Sequence, residues 1–120
     1  MSNVNVTRYV LAVQDIDTSK EYYINELGFT LMESPLGWAF LKRDSFILML
    51  GESKKSLSAK QLGDHSYFAY INISDAQELY SEFTPKAVKV IKPLITEPWG
   101  MKEFAIETVD GHRIMFGEEI

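Results

Sequence analysis

Apolar and polar residues alternate from Arg8 to Val13 in a β-rich run, which predicts a first strand. Asp15-Ile16-Asp17-Thr18 breaks the alternation, and Thr18 with Glu21 has the Thr-x-x-Glu spacing of a capping box, so a helix is expected over roughly 18 to 27. Tyr23 and Leu27 share one face of that helix, and Gly28 stands where a left-handed C-terminal cap is wanted. Three short strands follow: Phe29 to Glu33, then Gly37 to Lys42 after the Pro35-Leu36-Gly37 turn, then Phe46 to Leu50 after Arg43-Asp44-Ser45.

From Gly51 to Asp64 the chain turns to Ser, Lys, Gly and Gln, with Leu57 and Leu62 as the apolar anchors of a connecting loop. The pattern then restarts with a strand from Tyr67 to Ile73. Ser74 and Gln77 form a second capping box, and Ala76, Leu79, Tyr80 and Phe83 line the apolar face of a second helix. Strands are expected at about Val88 to Ile91, Lys102 to Glu107 and His112 to Phe116, with turns at Pro98-Trp99-Gly100 and Asp110-Gly111. Sliding the chain so that Ile16 falls on Ile73 also puts Ala12 on Ala69, Glu21 on Glu78 and Tyr23 on Tyr80, but the repeated order of elements is the stronger sign of an internal duplication. A strand, a helix and three strands cannot close a core alone. The expected fold is therefore α+β: two βαβββ modules, 6–51 and 66–118, joined by a loop at 52–65 within one domain spanning 1–120. Their strands form a curved mixed sheet around a cleft, with the helices on its outer face.

Composition narrows the chemistry. Hydrophobic residues make up 46% of the 120 and charged residues 24%, enough apolar surface for a core without metal or disulfide staples. The absence of Cys excludes disulfides, thiolate catalysis and thiolate metal sites. A net charge of −5 argues against a surface that tracks nucleic-acid phosphates and suits a cationic or neutral small partner, although mild acidity is also commonplace. Met1 to Asn5 lacks the basic start and apolar stretch of a secretory signal, and no run reaches membrane-spanning length, so the expected location is the cytoplasm. No phosphate-binding Gly loop, Gly-x-Ser-x-Gly elbow or His-Glu-x-x-His helix occurs.

The segment Glu97-Pro98-Trp99-Gly100-Met101-Lys102-Glu103-Phe104-Ala105-Ile106, followed by Val109-Asp110-Gly111-His112-Arg113-Ile114-Met115-Phe116-Gly117, resembles the C-terminal module of the vicinal oxygen chelate superfamily of glyoxalases, bleomycin resistance proteins and dioxygenases. Its Trp-Gly-Met-Lys-Glu-Phe-Ala stretch is similar to the metal-free bleomycin-resistance branch, and Tyr9 to Tyr23 is similar to the superfamily's first strand and helix. Metal-dependent members of that family hold a divalent cation with four His or Glu side chains. The resemblance puts Arg8, Met49, Phe68 and Met115 at those positions, with Leu48 replacing Met49 if the fourth strand slips, and none of these is a plausible ligand for a catalytic divalent ion. Strand alternation turns His65 away from the side of Phe68, and His112, beside the Asp110-Gly111 turn, is expected to be exposed. No metal and no cofactor is therefore expected.

Alternation also places Arg8, Val10, Trp38 or its neighbour Ala39, Met49, Phe68, Tyr70, Arg113 and Met115 on the cleft side, an apolar and aromatic lining with two cations and no evident proton-transfer pair. Met49 and Met115 serve equally well as ordinary packing. Trp99, in a Pro-Gly-flanked loop, is implied by the resemblance to border the groove and stack on a ligand, against a loop-anchoring role. Glu103 is either a carboxylate for a cationic ligand or a surface charge. The candidate ligand-binding set is Trp38, Met49, Phe68, Trp99, Met101, Glu103, Arg113 and Met115, with no catalytic residue. The function expected is a non-catalytic homodimer that sequesters a cationic or planar small molecule, such as a bleomycin-type drug, and so confers antibiotic resistance. The alternatives are a metal-dependent lyase, dioxygenase or thiol transferase of the same superfamily, and a module for an unrelated metabolite.

Overall fold

A computed structural model describes residues 5–58, 61 and 67–120; His65 and Leu62 lie outside the described residues. The chain divides into two compact units, one ending at Ser56 and the other beginning at Leu57. The first contains β1 (Arg8–Val13), α1 (Ile16–Asn25), β2 (Thr30–Glu33), β3 (Trp38–Arg43) and β4 (Phe46–Glu52). The second repeats that order as β5 (Tyr67–Asn72), α2 (Ala76–Phe83), β6 (Lys89–Thr96), β7 (Met101–Glu107) and β8 (Arg113–Glu119).

Each unit holds one four-stranded mixed sheet, ordered β1-β4-β3-β2 in the first and β5-β8-β7-β6 in the second. The first strand of each unit runs parallel to the last, and the other pairings are antiparallel. A parallel pair needs a long crossover, and here each helix lies within it. The α+β fold of two βαβββ units stands as the sequence indicates.

The helix starts differ from expectation. Asp15, in extended backbone, caps α1 by accepting from the amides of Asp17 at 3.1 Å and Thr18 at 3.2 Å. Asp75 caps α2 by accepting from the Glu78 amide at 3.0 Å. A carboxylate at the N-cap answers both the free amides and the positive end of the helix dipole, which outcompetes the Thr18 and Ser74 hydroxyls of the expected boxes. At the other end of α1, Gly28 adopts φ 76 as the sequence indicates, and the Phe29 amide closes on the Tyr23 carbonyl at 2.9 Å.

A second repeat ties the sheets to the helices. Met49-Leu50-Gly51-Glu52 in β4 matches Met115-Phe116-Gly117-Glu118 in β8. Glu52 accepts from the amide of Ile16 at 3.0 Å, and Glu118 accepts from that of Ala76 at 2.9 Å. Ile16 and Ala76 are the first residues of their helices, so each Glu satisfies an amide that the helix leaves without an internal partner. The slide that pairs Ile16 with Ile73 therefore has the wrong offset, because Ile73 precedes the cap of α2 whereas Ile16 follows the cap of α1.

Both cores lie between helix and sheet. Tyr23, fully buried, meets Phe29 edge-on at 5.3 Å, and Phe29 meets Phe46 at the same distance, beside buried Leu41, Leu48 and Leu50. In the second unit Phe83 and Tyr80 of α2 press on Phe104, which stacks on Phe116 at 5.2 Å. Strand alternation then turns Trp38, Phe40 and Met49 to the face away from α1, and Met101, Glu103, Ala105, Arg113 and Met115 to the face away from α2.

Strand β6 runs to Thr96, well past the expected end at Ile91. Its pairing with β7 shifts register on both sides of Lys92, next to Pro93, which has no amide to donate. A bulged edge strand is where such a proline is tolerated, and β6 is the edge of its sheet.

Candidate functional site

The richest polar cluster lies on the face of the second sheet that points away from α2. Glu103, in the middle of β7, is only 3% exposed, so it is not the surface charge that the sequence allowed as one option. Its two carboxylate oxygens are taken by separate donors: the Tyr70 hydroxyl at 2.6 Å on Oε2 and the Lys92 ammonium at 2.7 Å on Oε1. Lys92 also reaches Glu97 Oε1 at 3.1 Å. Above it sits the ring of Trp99, 5.7 Å from the ammonium.

Glycine makes this convergence possible. Tyr70 on β5 must cross β8 to reach β7, and it does so over Gly117, where a Cβ would run into the Tyr70 hydroxyl. Gly51 plays the same part in the first unit, where a Cβ would meet the outer ring of Trp38 at 2.9 Å. The repeated Met-x-Gly-Glu motif thus carries a notch that accepts an aromatic ring on the face of either sheet that points away from its helix. Trp38, rather than its neighbour Ala39, occupies that face; Ala39 is fully buried on the helix side.

The charges in the cluster are fixed. Burial alone would raise the Glu103 carboxyl, but the Lys92 and Tyr70 hydrogen bonds, with a further contribution from the Trp99 indole, hold it below the ordinary value. The Lys92 ammonium, despite desolvation, is held above its ordinary value by Glu103 and Glu97. Desolvation and the same carboxylate push the Tyr70 phenol up to about 12. None of the three is poised to exchange a proton near neutrality, which is what a general acid or base must do.

At the far end of β7, Glu107 pairs with Lys89 at 3.0 Å and stands 3.8 Å from Arg113 Nε. Met115 and Ala105 pair between the two charged groups. His112 departs from expectation, being buried rather than exposed. It lies edge-on to Phe68 at 5.8 Å, and burial holds its imidazole below the ordinary value against the opposing pull of Asp110. Phe68 itself sits at a register shift between Tyr67 and Ala69, where simple alternation no longer fixes its direction.

Of the sequence candidates, Trp99, Met101, Glu103, Arg113, Met115 and Phe68 belong to the second unit, while Trp38 and Met49 belong to the first. Trp99, 63% exposed, occupies the turn between β6 and β7, which closes through the Glu97 amide to the Met101 carbonyl at 2.7 Å. Lys92 and Glu97 escaped the sequence analysis. Lys92 lies beyond the expected end of its strand, and the usable sign was Lys-Pro in an otherwise β-rich run, which marks a bulged edge rather than a stop. Of the four residues that the resemblance puts at metal positions, Arg8 is exposed and Met49, Phe68 and Met115 are half-buried. Among the described residues no three His, Asp or Glu side chains gather to hold a metal. Among them, too, no helix is long and apolar enough to cross a membrane.

Comparison with known proteins agrees with this architecture. The bleomycin-binding protein of bleomycin-producing Streptomyces verticillus, solved with copper(II)-bleomycin, superposes with a TM-score of 0.75 over 97% of each chain at 21% identity. The bleomycin resistance determinant encoded on the transposon Tn5 gives 0.79 at 18% identity, over 97% of this chain and 98% of the other. A glyoxalase/bleomycin resistance protein/dioxygenase of Alicyclobacillus acidocaldarius gives 0.83 at 16% identity, over 100% of this chain and 96% of the other. No curated protein matches the sequence. At these identities the solved structures speak for the fold, while a family model matches residues 5–116 directly. The chain belongs to the Glyoxalase/Bleomycin resistance protein/Dioxygenase superfamily.

Proposed function

We propose that the protein is a non-catalytic binding protein that sequesters a cationic or planar small molecule, in a groove completed by a second copy of the chain. One feature carries this reading: the residues that the resemblance puts at the metal positions of metal-dependent relatives, Arg8, Met49, Phe68 and Met115, include no His or Glu. With no ligands for a Lewis acid among those residues, and with Tyr70, Glu103 and Lys92 held away from titration near neutrality, the face away from α2 offers charge and hydrogen bonds rather than acid–base chemistry. In this reading residues 1–120 act as one cytoplasmic domain with modules at 6–51 and 66–118. The ligand-binding set is Trp38, Met49, Phe68, Trp99, Met101, Glu103, Arg113 and Met115. The drug class is suggested by the Streptomyces neighbour, whose structure holds copper(II)-bleomycin, and resistance would follow from lowering the free drug.

The test is a thermal-shift screen against glycopeptides, planar cations, metabolites and divalent metals. Binding to the native state stabilises by RT ln(1 + [L]/Kd), about 2.7 kcal/mol at a hundredfold excess over Kd. The expected result is a rise in melting temperature with planar or cationic compounds and none with Ni, Zn, Fe or Mn. A metal-specific rise in place of any drug response contradicts the reading and favours a metal-dependent enzyme.

A further inference from the structure

We propose that Lys92 is the resident occupant of an organic-cation site built from Glu97, Glu103 and the ring of Trp99, and that a ligand's primary ammonium enters by taking its place. The inference rests on the reading that this face binds a ligand, and it names the chemical group recognised there.

The ammonium of Lys92 is held as a bound guest would be, at 2.7 Å from one carboxylate, 3.1 Å from a second and 5.7 Å from the centre of an aromatic ring. Two carboxylates share this one cation, and their side chains are 5% and 14% exposed. Buried carboxylates need a positive partner, but nothing in the geometry requires that partner to belong to the chain. Exchange of one ammonium for another leaves the local charge unchanged, so neither Glu is stranded.

Three features equip the site for exchange. Lys92 hangs from the bulged edge strand on a flexible stem, and its side chain keeps a quarter of its surface in water, so the ammonium can swing outward without moving the ladder. Tyr70 grips the other oxygen of Glu103 and holds the carboxylate in place when Lys92 leaves. Trp99, mostly exposed, gives an incoming ring a surface that Lys92 itself cannot use, which is how a free ligand outcompetes a tethered one. The class selected is an aromatic or planar molecule with a primary ammonium about one carbon from its ring.

The probe is benzylammonium, followed through the indole N–H signal of Trp99 by NMR and compared with benzyl alcohol and with sodium chloride at matched ionic strength. Wild type should show a saturable shift with benzylammonium alone. Lys92→Met, which removes the competitor, should bind it about tenfold more tightly, and Glu97→Gln, which keeps Lys92 and Glu103 as a balanced pair, should bind it about tenfold more weakly. If Lys92→Met fails to fold, Glu97→Gln decides alone. The proposal is overturned if wild type responds equally to benzylammonium and benzyl alcohol, if folded Lys92→Met binds no more tightly, or if Glu97→Gln binds undiminished. A neutral drug that shifts Trp99 while benzylammonium does not would sink this proposal and leave the binding function standing. Saturable benzylammonium binding with no response to any glycopeptide in the screen would leave this proposal standing and remove the bleomycin-type drug from the binding function.

Discussion

Glu103 shows what a residue gains from its neighbours. Read along the chain it is one of several acidic residues on a β-rich segment; in the fold it is buried, and its donors come from Tyr70, 33 positions away, and Lys92, 11 away. No local pattern announces such a convergence, and the same limit hid the burial of His112 behind Phe68. Trp99 was more legible, because a large ring between Pro98 and Gly100 has no strand or helix core to fill. Its exposure makes it separable from the fold: Trp99→Ala should weaken ligand binding by about 1 to 3 kcal/mol, the usual effect of truncating an aromatic hot spot. Stability should fall by about 1 to 3 kcal/mol, because the indole's hydrogen bond to the Glu103 carboxylate is lost together with the cation–π contact to Lys92. Titration calorimetry of the best ligand beside a melting curve checks both, and an unfolded variant or unchanged affinity would assign the ring to the scaffold.

At the scale of elements, alternation and helical spacing marked nearly every strand and both helices, and the left-handed Gly28 was legible from its position after Leu27. Boundaries failed where two local signals competed. Thr18 and Ser74 have capping-box spacing, yet Asp15 and Asp75 stand closer to the free amides and carry the charge that the helix dipole favours. Asp15→Ala and Asp75→Ala should each cost about 1 kcal/mol in urea unfolding, whereas Thr18→Ala should stay within about 0.5 kcal/mol. The reverse order would restore the capping boxes. Strand β6 likewise outruns its expected end at Ile91, since Pro93 only bends a strand whose outer edge needs no partner.

For the whole molecule, duplication was visible as an order of elements before it was visible as residues. The Met-x-Gly-Glu repeat supplies the physical link that the sliding comparison lacked. In each copy Gly makes room for a ring and Glu holds the first amide of the helix, so the motif fastens the sheet to its crossover. The candidate site was less legible than the fold because it depends on side chains meeting across strands rather than on any run of residues. The central claim is binding without metal chemistry. Its most direct test is titration calorimetry of the best planar cation from the screen, run on protein stripped with EDTA and kept in EDTA. The account predicts the same affinity and stoichiometry as for untreated protein, because Arg8, Met49, Phe68 and Met115 give a divalent ion nothing to bind. Loss of binding in EDTA, restored by adding back one transition metal per chain, would contradict it.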